Sequence, residues 1–335
     1  MDPELMQAAF FRATGGPEVI EHGLVPRPVP APGSVLVRVA ATAVNHVDTF
    51  VRSGKYATEL AFPQAAGRDL VGVVEETDPA GDPGFARGDA VWSNSMGFGG
   101  RPGAAARFAA VPRDRLYRLP DGVDPVQAAA VLHAGATAYL ALHVHGDVQG
   151  GDTVFVGGAA GGVGSALLVQ AVRAGARVVV SARATDLEYC RSLGASAAID
   201  YASPDFAARL RGAVADASGG RGLDIHIETS GRHQLELAVD LLALRGRIIA
   251  LSGLAATNQV PLGRLYTRDG SIRGFAISNA TVAELAAAAG AVNELLEDGS
   301  LRARDVTVLP LSAAASAHAS LESGTARGKL VLVPQ

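Results

Sequence analysis

Residues 153–156, Thr153-Val154-Phe155-Val156, form a short apolar run of strand-forming side chains. It leads into Gly158-Ala159-Ala160-Gly161-Gly162-Val163-Gly164, and a helical apolar stretch then continues to residue 174. Small residues in such a turn let the backbone approach a pyrophosphate closely, and Gly164 lets the helix pack on the strand. The helix N-terminus adds unpaired N–H groups and the positive end of the helix dipole. Any tight strand–helix turn also needs glycine, so the flanking strand and helix carry the inference. Gly158, Ala160, Gly161, Gly162, Val163 and Gly164 are therefore candidate dinucleotide-binding residues.

The alternation continues beyond this turn. Residues 177–180, 224–227, 247–251 and 271–276 read as strands, and 184–193 as a helix. Strands alternating with helices imply a parallel, doubly wound α/β sheet. From residue 6 to about 111 the texture differs: short strands at 35–39, 72–75 and 90–92 are separated by Pro and Gly, with no helical periodicity. Residues 126–143 and 282–297 are long enough for helices, and strands follow at 306–309 and 329–333. At 335 residues, two domains are expected.

An NAD-preferring site places Asp or Glu about 20 residues after the glycines, on the ribose 2′-OH. Ala182 stands there instead, between Ser181 and Arg183. A small residue leaves room for a 2′-phosphate, and Arg183 can pair with it. The expected cofactor is NADPH; the alternative for Arg183 is an ordinary surface residue.

The formal net charge is −4, with no long basic run, which argues against nucleic-acid binding. No stretch of about 18 apolar residues is expected to span a bilayer, and no secretory pattern opens the chain. Residues 1–5 read as a vector scar, with the native chain starting at Met6. Cys190 is the only cysteine, which excludes an intramolecular disulfide and a multi-cysteine metal site. A cytoplasmic location is expected.

Further landmarks are Ala43-Val44-Asn45-His46-Val47-Asp48, Arg52-Ser53-Gly54-Lys55-Tyr56, Ala66-Gly67-Arg68-Asp69-Leu70-Val71-Gly72, Gly88-Asp89-Ala90-Val91, Thr137-Ala138-Tyr139 and Gly328-Lys329. In this order and spacing the chain resembles the zinc-independent, zeta-crystallin-like quinone oxidoreductases of the medium-chain dehydrogenase/reductase superfamily, from about Gln7 to the C-terminus. The resemblance implies a discontinuous GroES-like, β-rich catalytic domain (1–125 and 279–335) with a Rossmann domain (126–278) inserted in it. Zinc-dependent relatives carry Cys where Asn45 stands and His where Arg68 stands. An amide and a guanidinium cannot replace a thiolate and an imidazole, and the four-cysteine zinc loop is also missing. No metal is expected. His143 and His145, at i and i+2 of a helix, diverge and read as surface histidines.

The resemblance further implies that Asn45 and Tyr56 face the nicotinamide, with Thr137 near the carboxamide. Tyr201 would lie against the adenosine end, Phe275 and Ile277 beside the nicotinamide, and Lys329 on the cofactor. Thr229, Ser230, Ser252 and Gly253 follow the fourth and fifth strands, where cofactors sit in open α/β sheets. Thr137 and Phe275 have an equal alternative as core residues, and Tyr56 one as a loop tyrosine. Two departures stand out: Phe50 replaces a tyrosine of several relatives, and Gly324 an arginine for the 2′-phosphate, with Arg327 nearby. The implied reaction is hydride transfer from NADPH to a quinone or other conjugated carbonyl. Asn45 would stabilise the oxyanion, Tyr56 or a water would give the proton, and His46 is a weaker candidate. The alternatives are an enoyl-thioester or alkenal reductase, with Arg68, Arg101 and the 97–103 loop shaping the entrance, and a noncatalytic NADPH-binding protein. Relatives join their last Rossmann strands across a twofold axis, so a homodimer is expected.

Overall fold

Six parallel strands form the sheet that the alternating pattern predicts. In spatial order they are Ala197–Asp200, Arg177–Ala182, Thr153–Gly157, Leu223–Glu228, Leu242–Ala250 and Ser271–Gly274. In chain order this is 3-2-1-4-5-6, the doubly wound order, and it reverses direction at Thr153–Gly157. That first strand is buried along its whole length, which is why it reads as an unbroken apolar run. Phe155, Val179, Ile199, Leu210, Val214 and Ile248 pack together in the core of this unit. The computed structural model describes residues 4–77 and 84–334. The described residues up to His133 and those from Leu285 form one unit, and Ala134–Glu284 forms the other. Both breaks fall inside helices, Pro125–Tyr139 and Val282–Glu297.

The other unit is built around the long strand Ser34–Ala43. It pairs antiparallel with Leu70–Glu76, Phe108–Pro112 and Lys329–Val333. A smaller sheet joins Glu21–Pro26, Leu5–Phe11 and Gln64–Ala65. The return of the C-terminal strand matters most for the site. Val331 lies opposite Ala43, and the Val44 N–H donates to the Leu330 carbonyl at 2.9 Å. Lys329 is thereby delivered to the residue that follows Val44.

Three sequence expectations need correction or completion. A helix, His46–Arg52, interrupts the region read as strands only; seven residues are too few to show a period. It starts at Asn45, whose backbone N–H donates to the Asp48 carboxylate at 2.7 Å, as in a capping box. The helix that begins at Pro125 ends in a π-helical turn, Leu140–His145, and Pro125–His145 is long and apolar enough to cross a membrane. Its most apolar stretch is 72% buried, as in a core helix. The proposed scar at 1–5 lies outside the described residues for 1–3; Leu5 already pairs with Pro26 in a strand.

Candidate active site

In the Rossmann unit, the glycine turn has the geometry of a phosphate cradle. Gly158 has φ +72°, the left-handed region that glycine adopts without strain. A Cβ on Gly164 would lie 2.3 Å from the Gly158 carbonyl oxygen, so only glycine lets the helix Gly162–Arg173 close on the turn. Gly161 caps that helix with no side chain, and Gly161 and Gly162 are exposed, leaving the first-turn N–H groups open. Val163 is half-buried, as is Ala160. The Ala159 N–H donates to the Ser181 carbonyl at 3.0 Å, tying the turn to the second strand.

At the end of that strand Ser181 and Ala182 are buried and Arg183 is exposed. Arg183 Nε donates to the Tyr201 hydroxyl at 3.3 Å, and the Arg232 guanidinium lies 5.4 Å from the Tyr201 ring centre. Two cations therefore meet one tyrosine at the place where a 2′-phosphate is expected. Arg232 carries no sequence signal; a loop from the fourth strand brings it in.

The hydroxyl of Thr229 donates to the Gly157 carbonyl at 2.7 Å, and that of Ser252 to the Glu228 carbonyl at 2.8 Å. The Ser230 N–H caps the Glu228 carboxylate at 2.7 Å, and Gly253 has φ +80°. All four residues follow the fourth and fifth strands, and Thr229 and Ser230 lie against Gly158 of the turn. Phe275 stacks on His145 at 4.4 Å between ring centres, while His143 tilts against Tyr139, so the two histidines do diverge. Ile277 is buried. Thr137 Oγ1 is buried without a hydrogen-bond partner, which leaves it free for a ligand. A glycine-rich cradle and an orphaned hydroxyl fit a dinucleotide.

In the other unit a buried polar cluster surrounds Asn45. Its Nδ2 donates to Asp69 Oδ2 at 2.7 Å, and its Oδ1 accepts from the Lys329 ammonium. Lys329, expected on the cofactor, is thus engaged by Asn45. Asp69 is 0% exposed, and burial pushes its carboxyl up to about 6. Burial raises Asp48 as well, with help from the Asp69 charge, and lowers the Lys329 ammonium. His133 Nδ1 faces Asp69 Oδ1 at 3.8 Å, and neither atom has a hydrogen-bond partner. Burial holds His133 well below the usual imidazole range. His46 is shifted the same way, by burial and then by the Lys329 charge.

Arg68 is only 3% exposed, and its Nε donates to the Asn94 carbonyl at 2.9 Å. It belongs to this cluster and does not line an entrance, and Arg101 is likewise tied to the Ser95 carbonyl at 2.7 Å. Tyr56, half-buried, stacks on Phe98 at 5.4 Å between ring centres, and the Arg68 guanidinium approaches the same phenyl ring. Gly324 has φ +69°, a conformation that an arginine would adopt only with strain. The residues present do not suit zinc. The Asn45 oxygen already accepts from an ammonium, Arg68 has no lone pair to offer, and the imidazoles nearby, His46 and His133, feel the positive charge of Lys329. Among the described residues no group of three or more His, Cys, Asp or Glu is placed to hold a metal ion. Asp48 and Asp69 sit inside two sequence landmarks, but their burial was not readable there.

Two family models match the chain: the alcohol dehydrogenase GroES-like domain over residues 31–121, and the zinc-binding dehydrogenase family over 162–292. A quinone oxidoreductase of Sus scrofa is 32% identical over 98% of both chains. The solved structure of a mycobacterial protein complexed with NADPH superposes with a TM-score of 0.83 at 30% identity, covering 98% of this chain and all of that one. Over 97% of its length the chain is also 31% identical to a segment making up 15% of a phthioceranic/hydroxyphthioceranic acid synthase of Mycobacterium bovis. With its 3-2-1-4-5-6 parallel sheet, its glycine cradle and full-length similarity to a quinone oxidoreductase, the chain belongs to the zeta-crystallin-like group of the medium-chain dehydrogenase/reductase superfamily and is a nicotinamide-dependent oxidoreductase.

Proposed function

We propose that the protein reduces a quinone or another conjugated carbonyl with NADPH, without a metal. The observation that carries this reading is the state of Asn45: a buried amide, fixed at both ends, with one N–H still to give. Bound NADPH supplies the hydride. The open N–H groups of the glycine turn would hold the pyrophosphate, and Arg183, Arg232 and Tyr201 the 2′-phosphate. Thr137 would meet the carboxamide, with Phe275 and Ile277 beside the nicotinamide. Asn45 donates its remaining N–H to the acceptor oxygen as negative charge develops there. The acceptor gains one hydride and one proton, the proton coming from Tyr56 or from water. Conjugation already spreads the developing charge, so one neutral donor suffices where an isolated carbonyl calls for a Lewis acid.

Steady-state NADPH oxidation with 1,4-benzoquinone, 9,10-phenanthrenequinone and an enone tests this. Asn45→Ala should lower kcat roughly 10- to 100-fold, and Tyr56→Phe less, with NADPH binding unchanged. Wild-type rates from both variants on every acceptor would show these residues to be structural. A second reading, an enoyl-thioester reductase, is favoured by the similarity to the M. bovis synthase segment. Turnover of an enoyl thioester but of no quinone would select it; NADPH binding with no turnover at all would leave a noncatalytic binding protein.

A further inference from the structure

The side chain of Asn45 is held by two partners of opposite chemistry. At one end Lys329 presents an ammonium, which only donates. At the other, Asp69 presents a carboxylate, which accepts from Nδ2 at 2.7 Å. Turning the amide over would set its NH2 against the ammonium and its carbonyl against the carboxylate. Both contacts are repulsive; the one at Asp69 is fully buried and the one at Lys329 partly buried, so water screens them poorly. The backbone is fixed as well. Asn45 N–H is held by the Asp48 carboxylate, and Val44 is bonded to Leu330, one residue from Lys329. The charged groups around the amide are Asp48, Asp69, Arg68 and Lys329, with His46 and His133 close by.

We propose that Lys329 and Asp69 are positioning residues that hold the Asn45 amide in one orientation, so that an N–H and never the carbonyl is offered to the reacting oxygen. The inference rests on the reading of Asn45 as an oxyanion donor. It assigns Lys329 to the reaction through Asn45 rather than through the cofactor. A carbonyl aimed at a developing oxyanion would repel it, so a free amide would spend part of its time opposing the reaction.

The full-length protein, NADPH and 9,10-phenanthrenequinone provide the test, with Asn45→Ala, Lys329→Met and the double variant as a cycle. Lys329→Met should lower kcat about 10-fold or more, while the NADPH Kd from fluorescence titration and the quinone KM stay within about threefold. In the Asn45→Ala background the same change should alter kcat by less than about twofold, because its target is gone. Lys329→Arg, which keeps a charged donor, should restore kcat to within about threefold of wild type. If Lys329→Met does not fold, the isosteric Asp69→Asn, which can donate as well as accept, runs the same cycle with the same expected non-additivity. Loss of NADPH affinity without loss of kcat, or an equal loss of kcat in both backgrounds, overturns the positioning role while leaving Asn45 in place. A wild-type rate for Asn45→Ala instead removes the reading on which the inference stands.

Discussion

Arg183 and Arg232 reach the same tyrosine from two different loops. A charge-assisted contact to a phosphate contributes roughly 1.5–3 kcal/mol, or about tenfold or more in affinity. The double variant Arg183→Ala/Arg232→Ala should therefore weaken NADPH by about 10- to 100-fold and NADH by less than about threefold, read by fluorescence titration. Equal loss for both dinucleotides would place the two cations elsewhere than at a 2′-phosphate. Ala182 and Arg183 were legible because they stand at a fixed distance from the glycines; Arg232 was not. His226 illustrates a different residue-scale effect. It is buried against Phe155, and burial lowers its imidazole to about 4. The unfolded chain binds a proton there below about 6.5, while the folded one stays neutral down to about 4. Stability is thus full above about pH 6.5 and is lost as the pH falls from there towards 4, by up to roughly 3 kcal/mol. His226→Phe should flatten the acid side of a Tm-against-pH curve; an unchanged curve would deny this histidine its part in acid unfolding.

Among elements, the strand–turn–helix at 153–173 was the most readable, yet its glycines are not equivalent. A Cβ on Gly164 would meet the Gly158 carbonyl oxygen at 2.3 Å and the Ala159 Cα at 2.7 Å. On Gly162 it would meet only the Ala134 methyl at 3.9 Å, an ordinary contact. Gly164→Ala should cost about 2 kcal/mol or more in denaturant unfolding, and Gly162→Ala less than about 1 kcal/mol. Similar losses for both would mean that the helix does not depend on close approach at Gly164. The short helix His46–Arg52 escaped the sequence reading because two turns carry too little periodicity, although Asn45 and Asp48 stand at capping-box spacing.

For the whole molecule, the six-stranded sheet ends on Ser271–Gly274, whose outer edge pairs with no other described strand. The helix before it exposes Leu262 at 67% and Tyr266 at 72%. Open edges and exposed apolar side chains favour pairing with a second copy. A homodimer is the expected state by light scattering, and Leu262→Glu with Tyr266→Glu should shift it towards monomer. A monomeric wild type at micromolar concentration would sink this expectation.

By itself the sequence determined whatever depends on neighbours along the chain. Strand and helix periods, the glycine turn, the missing acid at Ala182 and the unsuitability of Asn45 and Arg68 as zinc ligands are properties of residue type and short spacing. Tertiary structure decided the rest. Lys329 meets Asn45 across 284 residues because the C-terminal strand returns to pair with Ser34–Ala43, and Asp69 meets it across 24. Arg68 looked like an entrance residue until its burial was known. Burial and charge pairing depend on which distant strands share a sheet and in what register. No local pattern encodes that, so the cradle was visible in the sequence and the network around Asn45 only in the fold.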